Sequence, residues 1–196
     1  MILKPIGLMR SEAASSVLQT GFRAPTAAYG AAVTLGLGGS MYDWDNEVNV
    51  FGAGEASLTS GLFDNNIASR SLVVTAFDFS DIASAATIVG IEAAVTCRCP
   101  VGAANWAYAC LVSNYVGITQ FTIASQLGTG LPKAFPATSQ TLTFGGSTDL
   151  WGGGASTVGF FKTAANGLAF QAQAKANDTD IYVDTILLNL HYEPAA

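Results

Sequence analysis

The chain has 196 residues, enough for one all-β domain with a sizeable core, and only 11% of them are charged, against roughly 25% in an ordinary soluble protein. Its net charge is −6 and its eight lysines and arginines are scattered. There is thus no basic stripe for phosphates and no direct nucleic-acid partner is expected. No apolar run approaches the roughly 18 residues of a membrane span, because the most hydrophobic stretch, Ile82 to Val95, is interrupted by Ser84, Thr87, Gly90 and Glu92.

In chain order, Met1 to Arg10 places its early positive charge, Lys4, beside Pro5 and lacks a sustained apolar core before a small-residue cleavage site. The expectation is therefore no signal peptide and synthesis in a cytosol. From residue 1 to 39 no hydrophobic period holds; Ala, Gly, Ser and Thr dominate and Pro5 and Pro25 interrupt. This stretch is read as an N-terminal arm or lead-in segment ahead of a β-sandwich domain over residues 40–196. Such an arm gains order by lying on a neighbour, so its removal is expected to weaken attachment and leave the sandwich folded.

Met41 to Asn46 and Glu47 to Phe51 open the first firm strand. Further strands are expected at Ser71–Phe79, Thr87–Cys99, Trp106–Val116, Gln120–Ala124, Gln140–Phe144, Asn166–Lys175 and Asp180–Tyr192, with loops at Leu127–Ser139 and Gly145–Gly154. Eight strands joined by connections of very uneven length fit a jelly-roll-like antiparallel sandwich of two sheets better than an up-and-down barrel. Period-two alternation assigns faces in the best strands. Val89, Ile91, Ala93, Val95 and Cys97 point inward, against Glu92, Thr96 and Arg98. Leu168, Phe170, Ala172 and Ala174 oppose Gln171, Gln173 and Lys175. Ile186, Leu188, Leu190 and Tyr192 oppose Thr185, Asn189 and His191, with Leu187 breaking the pattern.

The chemical inventory yields no catalytic, cofactor-binding or metal-ligating residue. Cys97, Cys99 and Cys110 fall in what reads as one hairpin. A bridge from Cys110 to either of the others is conceivable there, but such cross-strand bridges are strained, a reducing compartment is expected, and the spacing matches no common zinc motif. His191, the single histidine, sits on the solvent-facing side of the last strand, as a surface residue does more often than a general base. Asp43, Asp45 and Glu47 around Trp44, and Asp78 with Asp81, are carboxylate groupings without a spaced calcium motif, and Asp178 with Asp180 read as turn residues. The stretch Gly145-Gly-Ser-Thr-Asp-Leu-Trp-Gly-Gly-Gly154 lacks the lysine and helix of a phosphate loop. It reads as a turn in which glycine supplies positive φ and Trp151 anchors on the sandwich. Trp44, Trp106 and Trp151 would be a sugar-stacking platform only if they shared a surface.

The succession Ser71-Leu-Val-Val-Thr-Ala-Phe-Asp-Phe-Ser80, Thr87-Ile-Val-Gly-Ile-Glu92, Leu142-Thr-Phe-Gly-Gly146, Asp149-Leu-Trp-Gly152, Gly167-Leu-Ala-Phe170 and Tyr182-Val-Asp184, ending in Leu190-His-Tyr192, resembles jelly-roll accessory virion proteins of tailed bacteriophages. These include capsid cement or decoration proteins and appendage domains, and the likeness runs from about Trp44 to the C-terminus. It implies a virion component, commonly a homotrimer, that is made in the host cytoplasm and binds without catalysing anything. It carries over no functional residues. The leading expectation is a cement protein on the outside of the shell, partnered by the major capsid protein and by itself. That role predicts a flat, apolar, weakly charged base. The alternative, a receptor- or carbohydrate-binding module of a fibre or spike, predicts an exposed aromatic cluster at a loop end. A neutral Ser/Thr/Ala surface on an ordinary monomer is the plain account of the charge deficit; subunit contact is the other.

Overall fold

The computed structural model describes residues 16–31, 43–58, 69–100, 106–113, 122–123, 133–153, 157–173 and 180–195. The strands in chain order are β1 Leu18–Gln19, β2 Ala27–Ala31, β3 Phe51–Leu58, β4 Ser71–Thr75, β5 Thr87–Arg98, β6 Trp106–Ser113, β7 Thr122–Ile123, β8 Lys133–Ala134, β9 Gln140–Gly146, β10 Gly167–Gln173 and β11 Ile181–Glu193. The most regular alternation in the sequence builds the centre of the first sheet. There β5 and β11 pair antiparallel from Tyr182 opposite Arg98 to Glu193 opposite Thr87.

That sheet runs β3-β11-β5-β9, with β1 on the same edge of β11 as β3, and the second runs β4-β10-β6-β7, with β2 outside β4 and β8 also on β6. Counted from β3 and leaving aside the two-residue β8, the layers read 1-8-3-6 and 2-7-4-5. This is the strand order of a jelly roll, so the all-β, two-sheet antiparallel sandwich expected from the alternation is the fold.

The core lies between the layers. Leu72, Val74, Leu168, Phe170, Ala172, Ala109 and Leu111 from one sheet meet Ile91, Ala93, Val95, Phe144, Ile186, Leu188 and Leu190 from the other. Val89 is only half-buried, because a register shift between His191 and Tyr192 turns Ile88 inward in its place. The same shift leaves Tyr192 partly buried at the margin of the core. A second irregularity, between Val183 and Thr185, explains Leu187. Ile181 and Val183 face the core ahead of it and Ile186, Leu188 and Leu190 after it, so Leu187 stands on the outer face. Gln171 was expected in water and is instead fully buried, its amide donating to the Ser69 carbonyl. It belongs to a second closed surface, the far side of the six-stranded sheet, where Val73, Cys110, Val112 and Ala169 are buried as well. Ala174 and Lys175 lie outside the described residues.

Several boundaries move. Glu47–Val50 is a 3-10 turn entered through Asn46 at φ 57°, and the first strand of the jelly roll follows it at Phe51–Leu58. The strand expected over Ser71–Phe79 stops at Thr75, where Ala76 at φ 57° turns the chain, although Phe77 and Phe79 still reach the core. The expected loop over 127–139 contains β8. Met41 and Tyr42, residues 114–116, 120–121 and 124, and residues 127–132 lie outside the described residues. The expected lead-in over residues 1–39 contributes β1 and β2, one to each sheet.

The segment after β9 follows the sequence reading. Gly145 takes φ 75°, and the Trp151 indole is 1% exposed and donates from Nε1 to the Ile91 carbonyl at 2.9 Å. A Cβ on Gly145 would run into both Trp151 and the Ile91 carbonyl. Gly145→Ala therefore combines left-handed backbone strain with a collision that displaces the anchor, and is expected to cost about 2–4 kcal/mol. Urea denaturation of the variant measures it, and an unchanged midpoint refutes the account.

Candidate subunit interface

Residues 16–31 form a strap along one lateral side of the sandwich. Its first half extends the β11 edge beyond β3: the Thr20 amide donates to the Leu190 carbonyl at 3.0 Å, and Arg23 and Leu188 exchange backbone bonds at 2.8 and 2.9 Å. Its second half is β2, paired antiparallel with β4 from Ala27 opposite Thr75 to Ala31 opposite Ser71. Side chains add two locks. The Thr20 hydroxyl oxygen accepts from the Leu190 amide at 3.0 Å, and the Arg23 guanidinium meets the Asp81 carboxylate at 2.8 Å.

The strap contributes only Ala28 to the core cluster. Its larger apolar side chains turn outward, with Val17 53%, Leu18 42% and Phe22 46% exposed. Tyr29 on β2 and Val48 are exposed too, and the 3-10 turn carrying Val48 lies close to β2, Glu47 standing beside Gly30. Leu150 is the one large apolar side chain exposed elsewhere among the described residues. Single exposed leucines mean little, but a concentration on one side marks a contact surface. Neither strap strand was legible beforehand. β1 is two residues long, and Ala27-Ala-Tyr-Gly-Ala31 has no β-branched residue and no polar alternation.

The outer face of the five-stranded sheet carries hydrogen-bonded polar groups around the Leu187–Ala94 pair. Asn189 is 3% exposed, donates to Glu92 Oε2 at 3.1 Å and approaches the Thr20 hydroxyl at 3.2 Å. His191 was expected as a surface residue; its side chain is only 13% exposed, with Nε2 3.5 Å from Glu92. At the far end of the face Arg98 grips Glu55 through Nε at 2.9 Å and Nη2 at 2.7 Å and stacks 4.0 Å above the Tyr182 ring. The Arg98 hydrogen bonds hold the Glu55 carboxyl below the ordinary glutamate value of 4.5. A depressed folded pKa contributes stability that is complete above the unfolded value and is lost as pH falls through the folded one. Between pH 6 and 3 the wild type should thus lose more stability than Glu55→Gln, as read from urea midpoints; parallel curves refute this.

The remaining groups stay dispersed. The three cysteines do not share a hairpin, since β5 and β6 belong to opposite sheets. Cys97 and Cys99 lie in the core, and Cys110 faces out of the six-stranded sheet. Burial pushes the Cys97 thiol up to about 12, with a smaller contribution from Cys99, and burial likewise pushes Cys110 up to about 12. Only about one such thiol in ten thousand is ionised at pH 8, so Cys97 and Cys110 should resist a thiol reagent until denaturant is added. Labelling of either in the native protein within minutes would contradict this burial.

Asp43 pairs with Arg70, Asp81 with Arg23, and Asp78 is held below its ordinary pKa by the Ser80 side chain first and by the Ser80 amide, which it accepts at 2.9 Å. Asp45 is exposed, Asp180 accepts from the Tyr182 hydroxyl at 3.3 Å, and Asp178 lies outside the described residues. Among the described residues no three His, Cys, Asp or Glu side chains come together to hold a metal ion. Nor is any helix there long and apolar enough to cross a membrane. Trp44 and Trp151 are core residues, Trp44 donating to the Arg70 carbonyl at 2.8 Å and packing 6.2 Å from Phe170, so neither can stack on a sugar. The Trp106 side chain lies outside the described residues. No family model, curated protein or solved structure matches the chain. The strap side is therefore the surface on which a functional reading rests.

Proposed function

We propose that the chain is a non-catalytic structural protein of a tailed-bacteriophage virion. In this reading it is a cement or decoration protein that self-associates as a homotrimer on the outside of the capsid and ties neighbouring major capsid subunits together. The observation that carries the reading is the exposure of Val17, Leu18 and Phe22 on the strap, with Tyr29 on β2 and Val48 on the turn beside it, on a jelly roll whose sequence is only 11% charged. A surface of this kind is suited to protein contact. Its position along a lateral edge, with two of the three tryptophans buried, favours a packing role over an aromatic platform at a loop end. The resemblance in the order of motifs from Trp44 to Tyr192 supports the virion setting. Many weak seats acting together stabilise a shell, because each interface adds favourable free energy to the assembled state alone.

The test uses particles assembled without this protein. Purified chain added at micromolar concentration should co-sediment with them to saturation and raise the temperature at which they release their DNA. Folded protein that stays at the top of the gradient refutes the proposal, and binding to host envelope glycans in its place would make the chain an adhesion module.

A further inference from the structure

We infer that the strap is exchanged between copies, residues 16–31 of one chain docking on the β11 and β4 edges of a second. This deepens the self-association in the proposed function and rests on that part of it alone. Three observations lead here. First, the two jelly-roll layers are complete from β3 to β11, so the strap is an addition to a closed topology and the remainder retains its own core. Second, the strap is held as an added strand is held, by backbone pairing at two sheet edges plus the Thr20 and Arg23 contacts. Edge strands are general templates for such addition. Third, Val17, Leu18 and Phe22 are 42–53% exposed when the strap lies on its own body, so this seat leaves much of their apolar surface in water. The same seat on a second copy leaves them equally open to that body, so exchange covers them only where the donor's own body, joined to the strap, lies against it.

A second copy is the occupant to expect because an identical chain offers the same register. Leu18 would again face Tyr192, Arg23 would again meet Asp81, and Ala27–Ala31 would again lie along Ser71–Thr75. Exchange of an identical element needs no newly evolved complementarity. Eleven residues, 32–42, separate Ala31 from Asp43 in the sequence and include Gly36, Gly38 and Gly39; at full extension such a length spans at most about 40 Å. That is the scale of a domain of this size.

Full-length chains carrying either Arg23→Cys or Asp81→Cys are mixed in denaturant, refolded together, oxidised under native conditions and run on a non-reducing gel. The two positions lie on the surface, and the native thiols are buried. Strap exchange predicts a covalent heterodimer at least tenfold above that from Arg23→Cys mixed with Thr143→Cys, since β9 is the opposite edge of the sheet. Leu18→Cys mixed with Tyr192→Cys should behave in the same way and decides the matter if the first pair does not fold. If the mixtures give no heterodimer, and the double variant Arg23→Cys/Asp81→Cys closes only within its own chain, exchange is overturned. Sedimentation of wild type in parallel separates the two ideas. An oligomer without cross-linking removes strap exchange and leaves the proposed function standing, whereas cross-linked oligomers that ignore capsids remove the proposed function and leave the exchange.

Discussion

Phe170→Ala is expected to lower stability by about 4 kcal/mol, in the range found for emptying a fully buried phenylalanine site, and the melting temperature by roughly 10 °C for a chain of this size. Phe170 stands on β10, is 1% exposed, and reaches from the six-stranded sheet to the other layer. Its ring centroid lies 6.2 Å from Trp44, 6.1 Å from Phe135 and 6.3 Å from Phe144. Deleting it opens a cavity that no single neighbour can close, because Trp44 is fixed by its bond to the Arg70 carbonyl and Phe144 by its place in β9. Phe170→Leu should recover about half of the loss, and Thr143→Ala, on the exposed outer face, should stay within about 0.5 kcal/mol of wild type. Thermal and urea melts of the three variants check the order; a Phe170→Ala protein within 1 kcal/mol of wild type, by about the usual error of such melts, would mean that the two layers do not meet there.

The sandwich was legible where one face of a strand is apolar and the other polar over many residues. β5, β10 and β11 have that pattern, and Ile91, Ala93, Val95, Leu168, Phe170, Ile186, Leu188 and Leu190 all reach the core assigned to them. What alternation does not carry is parity across a bulge, which is why Val89, expected inward, gave its place to Ile88. Nor does it reveal which strands share a sheet. Cys97 and Cys110 looked like hairpin partners because they are close in sequence, whereas the chain crosses from one layer to the other between β5 and β6. Gln171 shows a further limit: glutamine reads as solvent-facing, yet its amide is buried with a bond to the Ser69 backbone carbonyl. The candidate interface was the least legible part. Short edge strands need only backbone bonds on one side and no apolar face of their own, so Leu18–Gln19 and Ala27–Ala31 are silent to any periodicity.

Deleting residues 1–31 is expected to destabilise the fold and, under the proposed function, to abolish self-association as well, where an arm lying only on a neighbour would have affected attachment alone. The deletion strips β2 from β4, a strand in which every residue from Ser71 to Thr75 is now buried, and removes Pro25 and Ala28 from the lateral side. Re-exposing on the order of 100 Å² of apolar surface there would cost about 2.5 kcal/mol, a fall of roughly 5–10 °C in melting temperature for a chain of this length. The body should still fold, since all the strands of both jelly-roll layers lie beyond residue 50. It would, however, present two uncovered edges, and uncovered edges aggregate. Ala28→Asp makes the same test without shortening the chain, because a carboxylate placed at that buried position opposes docking of β2 while leaving every other strap residue present. Both variants should keep a far-UV spectrum dominated by strand and melt below wild type; under the proposed function they should also sediment as monomer or aggregate and fail to co-sediment with capsids. A truncated chain that melts with wild type and still assembles would mean that neither stability nor association depends on the strap, and would move the subunit contact to another face of the sandwich.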